Sequence, residues 1–150
     1  MTEMQAAIGR IQLARLPAWR AARQRNAEHL LGALREIEAL RCPNPADGVE
    51  HGWYKFYAFV RPEALKPDWT RDRIMAEVNA AGVPCFTGGC PEIYREKVFA
   101  DTDFAPAQRL PNAVTLGETS LMLLVHPTLE AEHMEKTTAV LREVMKDATR

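Results

Sequence analysis

The sequence has 150 residues, 47% apolar and 26% charged, the balance of a soluble globular chain, which sets aside disordered and fibrous readings. Its 19 Lys and Arg against 20 Asp and Glu leave no net field to recruit nucleic acid or an anionic membrane. No apolar stretch approaches the roughly 20 residues that cross a bilayer, Met1-Thr2-Glu3 lacks the order of a signal peptide, and three scattered cysteines do not make a disulfide framework, so a cytoplasmic setting is expected.

Thr2 followed by Gln5 reads as a capping box, and Met4, Ile8, Ile11 and Arg15 recur at helical spacing, so a helix begins almost at once. Pro17 suits the first turn of a new helix, which predicts a kink or break near Leu16 and a second segment from Trp19 to Ile37. On that segment Leu30, Leu34 and Ile37 share one face. Arg20, Arg23 and Arg25, with Glu28 and Glu36 following, read as a solvated face. Cys42 to Gly48, with two prolines and an Asp-Gly pair, is a loop.

Tyr54, Phe56, Tyr57, Phe59 and Val60 predict a strand over Trp53 to Val60, covered on both faces over much of its length. Pro62 and Pro67 close it. Thr70 then caps a short helix carrying Ile74, Val78 and Ala81, which ends at Gly82. Val83 to Phe86 is the next strand, and Gly88, Gly89 and Pro91 break it before one or two helical turns within Glu92 to Phe99. Pro111 starts a helix through Glu118, and Ser120 to Val125 is a buried strand that ends at His126-Pro127. Thr128 is placed as the cap of a last helix with Met134, Thr138, Leu141 and Met145 on one stripe. The order α, α, β, α, β, α, α, β, α gives one α/β or α+β domain over residues 1–150, with a small, mostly antiparallel sheet.

The residues alone carry weak chemistry. Cys85 and Cys90 lack zinc-finger spacing and read as packed or idle thiols. Gly88-Gly89 fits neither phosphate-loop spacing and reads as a tight turn. His126, at the end of an apolar strand, sits where side chains reach a cleft beside a sheet, although from the residues alone a hydrogen-bonded histidine near a helix N-terminus is the favoured reading. Glu92, Tyr94 and Glu96 adjoin the glycine turn, and acid–base work would need a partner at hydrogen-bond distance.

The opening Met1-Thr2-Glu3-Met4-Gln5-Ala6-Ala7-Ile8-Gly9-Arg10-Ile11-Gln12-Leu13 resembles a helix of the DegT/StrS aminotransferases. Members of that family read Met-(Ser/Thr)-Glu-hydrophobic-Gln-Ala-Ala-hydrophobic-Gly there, with Gln-Leu after it. The later order is similar to that family too: the strand at Trp53 to Val60, Ala81-Gly82-Val83-Pro84, a tyrosine-bearing loop, Leu110-Pro111-Asn112-Ala113, and a strand running into His126-Pro127.

The resemblance implies the C-terminal small domain of a fold-type-I pyridoxal-phosphate enzyme that moves an amino group, usually from glutamate, to a nucleotide-linked keto sugar. It puts the cofactor lysine and the pyridine-nitrogen aspartate in a large domain ahead of Met1. No cofactor is therefore expected on this chain, which would be catalytically silent by itself, and the complete enzyme would be a homodimer. One wall of the sugar site is implied in the loop Phe86 to Tyr94, with Phe86, Cys90, Glu92 and Tyr94 as substrate-binding residues, and at His126. Many relatives carry Pro-Leu-His where this loop has Gly88-Gly89-Cys90-Pro91-Glu92-Ile93-Tyr94, which leaves the sugar open. The alternative is a stand-alone, non-catalytic domain that binds a sugar nucleotide or a protein. A first helix cut from its large domain is expected to drive self-association through Ile8, Ile11 and Leu13.

Overall fold

A computed structural model describes residues 1–100 and 102–150. The first helix, α1 (Glu3–Leu34), is capped as the sequence requires: Thr2 accepts from the Gln5 amide while the Gln5 side chain accepts from the Thr2 amide. It runs through Pro17 as one helix of 32 residues, so the expected division into two segments does not occur. Pro17 removes the amide that would reach the Leu13 carbonyl. Leu13 is 68% exposed, and water can take that carbonyl where a buried helix would have to break.

The sheet has the order β1-β2-β4-β3 and is antiparallel throughout. Its strands are β1 (Leu40–Arg41), β2 (Phe56–Val60), β3 (Cys85–Phe86) and β4 (Ser120–Leu123). Phe56 pairs with Leu123, Ala58 with Leu121, Cys85 with Leu123 and Leu40 with Val60. Because directly paired residues share a face, these side chains form a single buried layer. The C-terminal half of α1, α2 (Arg71–Ala80) and α4 (Ala131–Ala148) cover it with Leu30, Leu34, Ile74, Val78, Met134, Leu141 and Met145.

The same pairing puts Arg41, Tyr57, Phe59, Phe86, Ser120 and Met122 on the opposite face. β2 was expected to be covered on both sides. Instead Tyr57 and Phe59 are only half-buried, because among the described residues that side is bordered by α3 (Pro111–Thr119) and the loop after β3 rather than covered by a helix layer. The strand also starts three residues later than expected. Trp53 turns the chain through φ +42°, and Tyr54 is 76% exposed.

Thr70 caps α2 through the Arg73 amide, as expected, and the helix is followed by Gly82 at φ +76°. Glu92 to Phe99 forms two short 3-10 turns, Ile93–Arg95 and Lys97–Phe99. Thr128 does not cap α4. Its hydroxyl is taken by His126 Nδ1 at 2.8 Å, and Glu130 provides the capping box with His133. The stripe Met134, Thr138, Leu141 and Met145 is buried as the spacing predicts. No helix among the described residues is long and apolar enough to cross a membrane.

Candidate functional site

The loop that leaves β3 is pinned at three points to the outer sheet face and α3. Ser120 Oγ donates to the Thr87 carbonyl at 2.7 Å. Gly88, at φ +94°, lies so close to the Tyr57 ring that an added Cβ would sit 2.5 Å from its Cε1, so only glycine fits both the backbone angle and the contact. Pro91 rests on Gly117 of α3, where a Cβ would come within 2.6 Å of the proline ring.

Glu92 is the centre of the loop's polar cluster. Arg109 grips it through two parallel contacts, Nε to Oε1 at 2.8 Å and Nη2 to Oε2 at 2.6 Å. Tyr94 Oη donates to Oε1 at 2.7 Å and in turn accepts from the Leu110 amide at 2.9 Å. These bonds, that of Arg109 first and Tyr94 next, hold the Glu92 carboxyl at a pKa of about 2. The Tyr94 phenol is pushed up by burial and by the bond to Glu92. A carboxylate this saturated is neither a general base nor a free acceptor for substrate. Its place is to fasten the loop to the segment entering α3.

Cys90 is exposed and donates its thiol to Glu96 Oε1 at 3.2 Å, a bond that raises its pKa above 9.0 and keeps it protonated. Cys42 and Cys85 are pushed to about 11 by burial. None of the three is an activated nucleophile, and no group of His, Cys, Asp or Glu among the described residues is arranged to hold a metal. Between the loop and the sheet lies an apolar cavity of about 260 Å³ lined by Tyr57, Phe59, Cys90, Pro91, Leu116 and Ser120.

Of the five residues singled out from sequence, the structure gathers four. Cys90, Glu92 and Tyr94 belong to this loop, and Phe86, the last residue of β3, leads into it and opens onto the outer face with 46% exposure. His126 is exposed at the other end of β4, where its carbonyl accepts from Asn26 at 3.1 Å. Arg109 and Tyr57 carry as much of the site's geometry as any predicted residue. Sequence reasoning passed over both because their partners lie 17 and 31 residues away.

A pyridoxal-phosphate Schiff base needs a lysine amine in a pocket, beside an acid free to hold the ring nitrogen. The five lysines of the sequence do not meet that need. Lys55 and Lys136 line cavities without an acidic residue, and Lys66 donates to the Asp147 carbonyl at 2.6 Å. Lys146 lines a cavity that also holds Glu38 and the Glu36–Arg142 pair but has no aromatic wall for a pyridine ring. Lys97 lies on an exposed 3-10 turn. The residues present do not fit the cofactor.

Solved structures of aminotransferases share this fold. An aminotransferase from Psychrobacter cryohalolentis superimposes with a TM-score of 0.92 at 45% identity, over 98% of this chain and 39% of that one. S. venezuelae DesV, in complex with a ketimine intermediate, matches at 0.82 and 24% identity, over 97% and 37%. In sequence, the dTDP-3-amino-3,4,6-trideoxy-alpha-D-glucose transaminase of Streptomyces venezuelae is 27% identical over 95% of this chain and 35% of its own length. The chain belongs to the DegT/DnrJ/EryC1/StrS aminotransferase family, whose model matches residues 1–142. It spans little more than a third of the length of these relatives.

Proposed function

We propose that the chain is the C-terminal small domain of a cytoplasmic, homodimeric aminotransferase that acts on a nucleotide-linked keto sugar, with glutamate as the usual amino donor. The observation that carries this reading is the family match along residues 1–142. The poor fit of the five lysines to a Schiff base supports placing the cofactor on the remainder of the enzyme. Pyridoxal phosphate, when bound there, supplies the electron sink for amino-group transfer.

This chain's own part is orientation and exclusion of water. The Glu92–Arg109 latch holds the loop in one position, so Phe86 and Cys90 present a fixed edge to the sugar. The apolar cavity beside Tyr57 and Leu116 keeps water from that edge. Glu92 and Tyr94 shape the wall from behind, since their polar atoms already bond to each other, to Arg109 and to Leu110. His126, at the far end of β4, falls outside this wall.

The test compares the chain alone with the chain joined to the coding sequence upstream of Met1, each titrated with pyridoxal phosphate and assayed with glutamate and a nucleotide keto sugar. The expected result is a visible band of lysine-bound cofactor and amination in the longer protein, and neither in the chain. A band in the chain alone would overturn the placement of the lysine, and a longer protein that takes the cofactor but aminates no keto sugar would overturn the substrate class.

A further inference from the structure

Ser120 stands where α3 passes into β4 without an intervening residue, and each of its polar groups is committed to a different element. Its amide donates to the Leu116 carbonyl of α3. Its hydroxyl donates to the Thr87 carbonyl at 2.7 Å, at the root of the loop. Its own carbonyl accepts from Arg71 Nη1 of α2 at 2.8 Å. The residue is 8% exposed and lines the apolar cavity under the loop.

Arg71 is out of place by local rules. It is the first residue of α2, where the helix dipole favours an acid, and Asp72 beside it is the acid of that turn. Asp72 takes Arg71 Nε at 2.7 Å, but it is 73% exposed and gives little as a partner in water. Yet the Arg71 side chain is only 12% exposed. Burying a cation at the positive end of a helix is unfavourable unless a strong acceptor meets it. Here the acceptor is the Ser120 carbonyl, 49 residues away. The bond carries a side chain from the helical layer to the residue that fastens the loop on the outer face.

We propose that Arg71 is a positioning residue for the sugar wall, acting through Ser120. By holding the Ser120 carbonyl it fixes the start of β4, and with it the direction in which the Ser120 hydroxyl meets Thr87. Gly88 to Cys90 hang from that bond, as Ile93 to Arg95 hang from the Glu92–Arg109 latch. Arg71 is not among the described residues that line the cavity, so its effect passes through Ser120. The inference rests on the reading of this loop as the wall of the sugar site.

Arg71→Met keeps the buried stem and removes both donated bonds, Ser120→Ala removes the bond to Thr87, and Ser120→Thr retains a hydroxyl. Hydrogen exchange of the chain reads the fastening, and the KM of the longer protein for its nucleotide keto sugar reads the wall. In Arg71→Met and Ser120→Ala, exchange at Gly88, Gly89 and Cys90 is expected to quicken by at least about tenfold, with Val78 and Leu141 in the core unchanged. KM is expected to rise at least about fivefold while kcat stays within about twofold of wild type. Ser120→Thr should restore both. Unchanged exchange at Gly88 to Cys90 in Arg71→Met would overturn the proposal on the chain alone. Core and loop amides quickening together, with KM unchanged, would make Arg71 a stability residue and overturn it too. Faster loop exchange with a wild-type KM would overturn the link to the sugar while leaving the aminotransferase reading in place. A longer protein that takes the cofactor but aminates no keto sugar would instead overturn the substrate reading, and with it the assignment of this wall to a sugar.

Discussion

Arg109 holds Glu92 with both edges of its guanidinium, at 2.8 and 2.6 Å, across 17 residues of sequence. That one contact joins the loop after β3 to the chain entering α3, and Tyr94 doubles it by bonding to Glu92 and to the Leu110 amide. Glu92's folded pKa of about 2 lies below its ordinary 4.5. The contribution of the latch is therefore complete above about pH 4.5 and is lost as pH falls toward 2. Hydrogen exchange at Ile93, Tyr94 and Arg95 is expected to be pH-independent after correction for intrinsic rates down to about pH 4.5, then to accelerate. Glu92→Gln should remove that transition, and Arg109→Ala should loosen the same amides at neutral pH. An unchanged exchange pattern in Arg109→Ala would mean that the loop is held by its contacts through Thr87, Gly88 and Pro91.

Gly88 and Gly89 look interchangeable in sequence but not in space. An added methyl group at Gly88 meets the Tyr57 ring and a φ of +94°, whereas nothing lies within 4 Å of Gly89. Gly88→Ala is expected to cost about 1–3 kcal/mol, and Gly89→Ala to stay within about 0.5 kcal/mol of wild type. Urea denaturation of the two variants side by side checks this, and equal stabilities would contradict the close approach of the loop to Tyr57.

Asn26 fixes α1 to the turn between β4 and α4. It is buried, and its Nδ2 donates to the carbonyls of His126 at 3.1 Å and Leu129 at 3.2 Å. Asn26→Ala takes one donor from each carbonyl, leaving that of His126 with the Leu129 amide alone, and is expected to cost about 1–3 kcal/mol. Asn26→Asp turns a donor into an acceptor facing two acceptors, so it should be worse than Ala at neutral pH. It should also recover in part as acid protonates the new carboxyl. Thermal unfolding at neutral and mildly acidic pH separates the two variants, and an aspartate as stable as asparagine would rule out this role.

What could be read in advance follows the range of the interactions. The Thr2 capping box, the Thr70 cap and the α4 stripe each depend on side chains within a few turns of one another, so spacing alone located them. β1 escaped notice because Leu40–Arg41 is too short to show alternation and exists only by pairing with Phe59 and Val60. Thr128 was misplaced as a cap because His126, two residues earlier, takes its hydroxyl. The same limit applies to the site. The loop's position could be seen from its glycines and proline, but the purpose of Glu92 depended on Arg109, and the need for Gly88 on Tyr57. The half-open outer face was hidden for a related reason: a run of aromatic residues gives the same signal whether its second side is buried by the chain or left for a ligand or another domain.

Among the described residues, the first half of α1 is left almost wholly exposed. Met4, Ile8 and Ile11 fall on one helical stripe at 75%, 52% and 54% exposure, and Leu13 and Leu16 add 68% and 52% on neighbouring faces. Apolar surface of this extent on an isolated helix tends to find a cover, and in a solution of this chain alone the available one is the same stripe on a second copy. Static light scattering should show a mass that rises with concentration, and Ile8→Glu/Ile11→Glu should return it to that of a monomer without loss of helix by circular dichroism. The substituted carboxylates stay solvated in the monomer but would have to be desolvated, facing their symmetry mates, in a paired form. A wild-type chain that remains monomeric at all concentrations would show that the stripe is tolerated in water, and the double variant would then leave the mass unchanged.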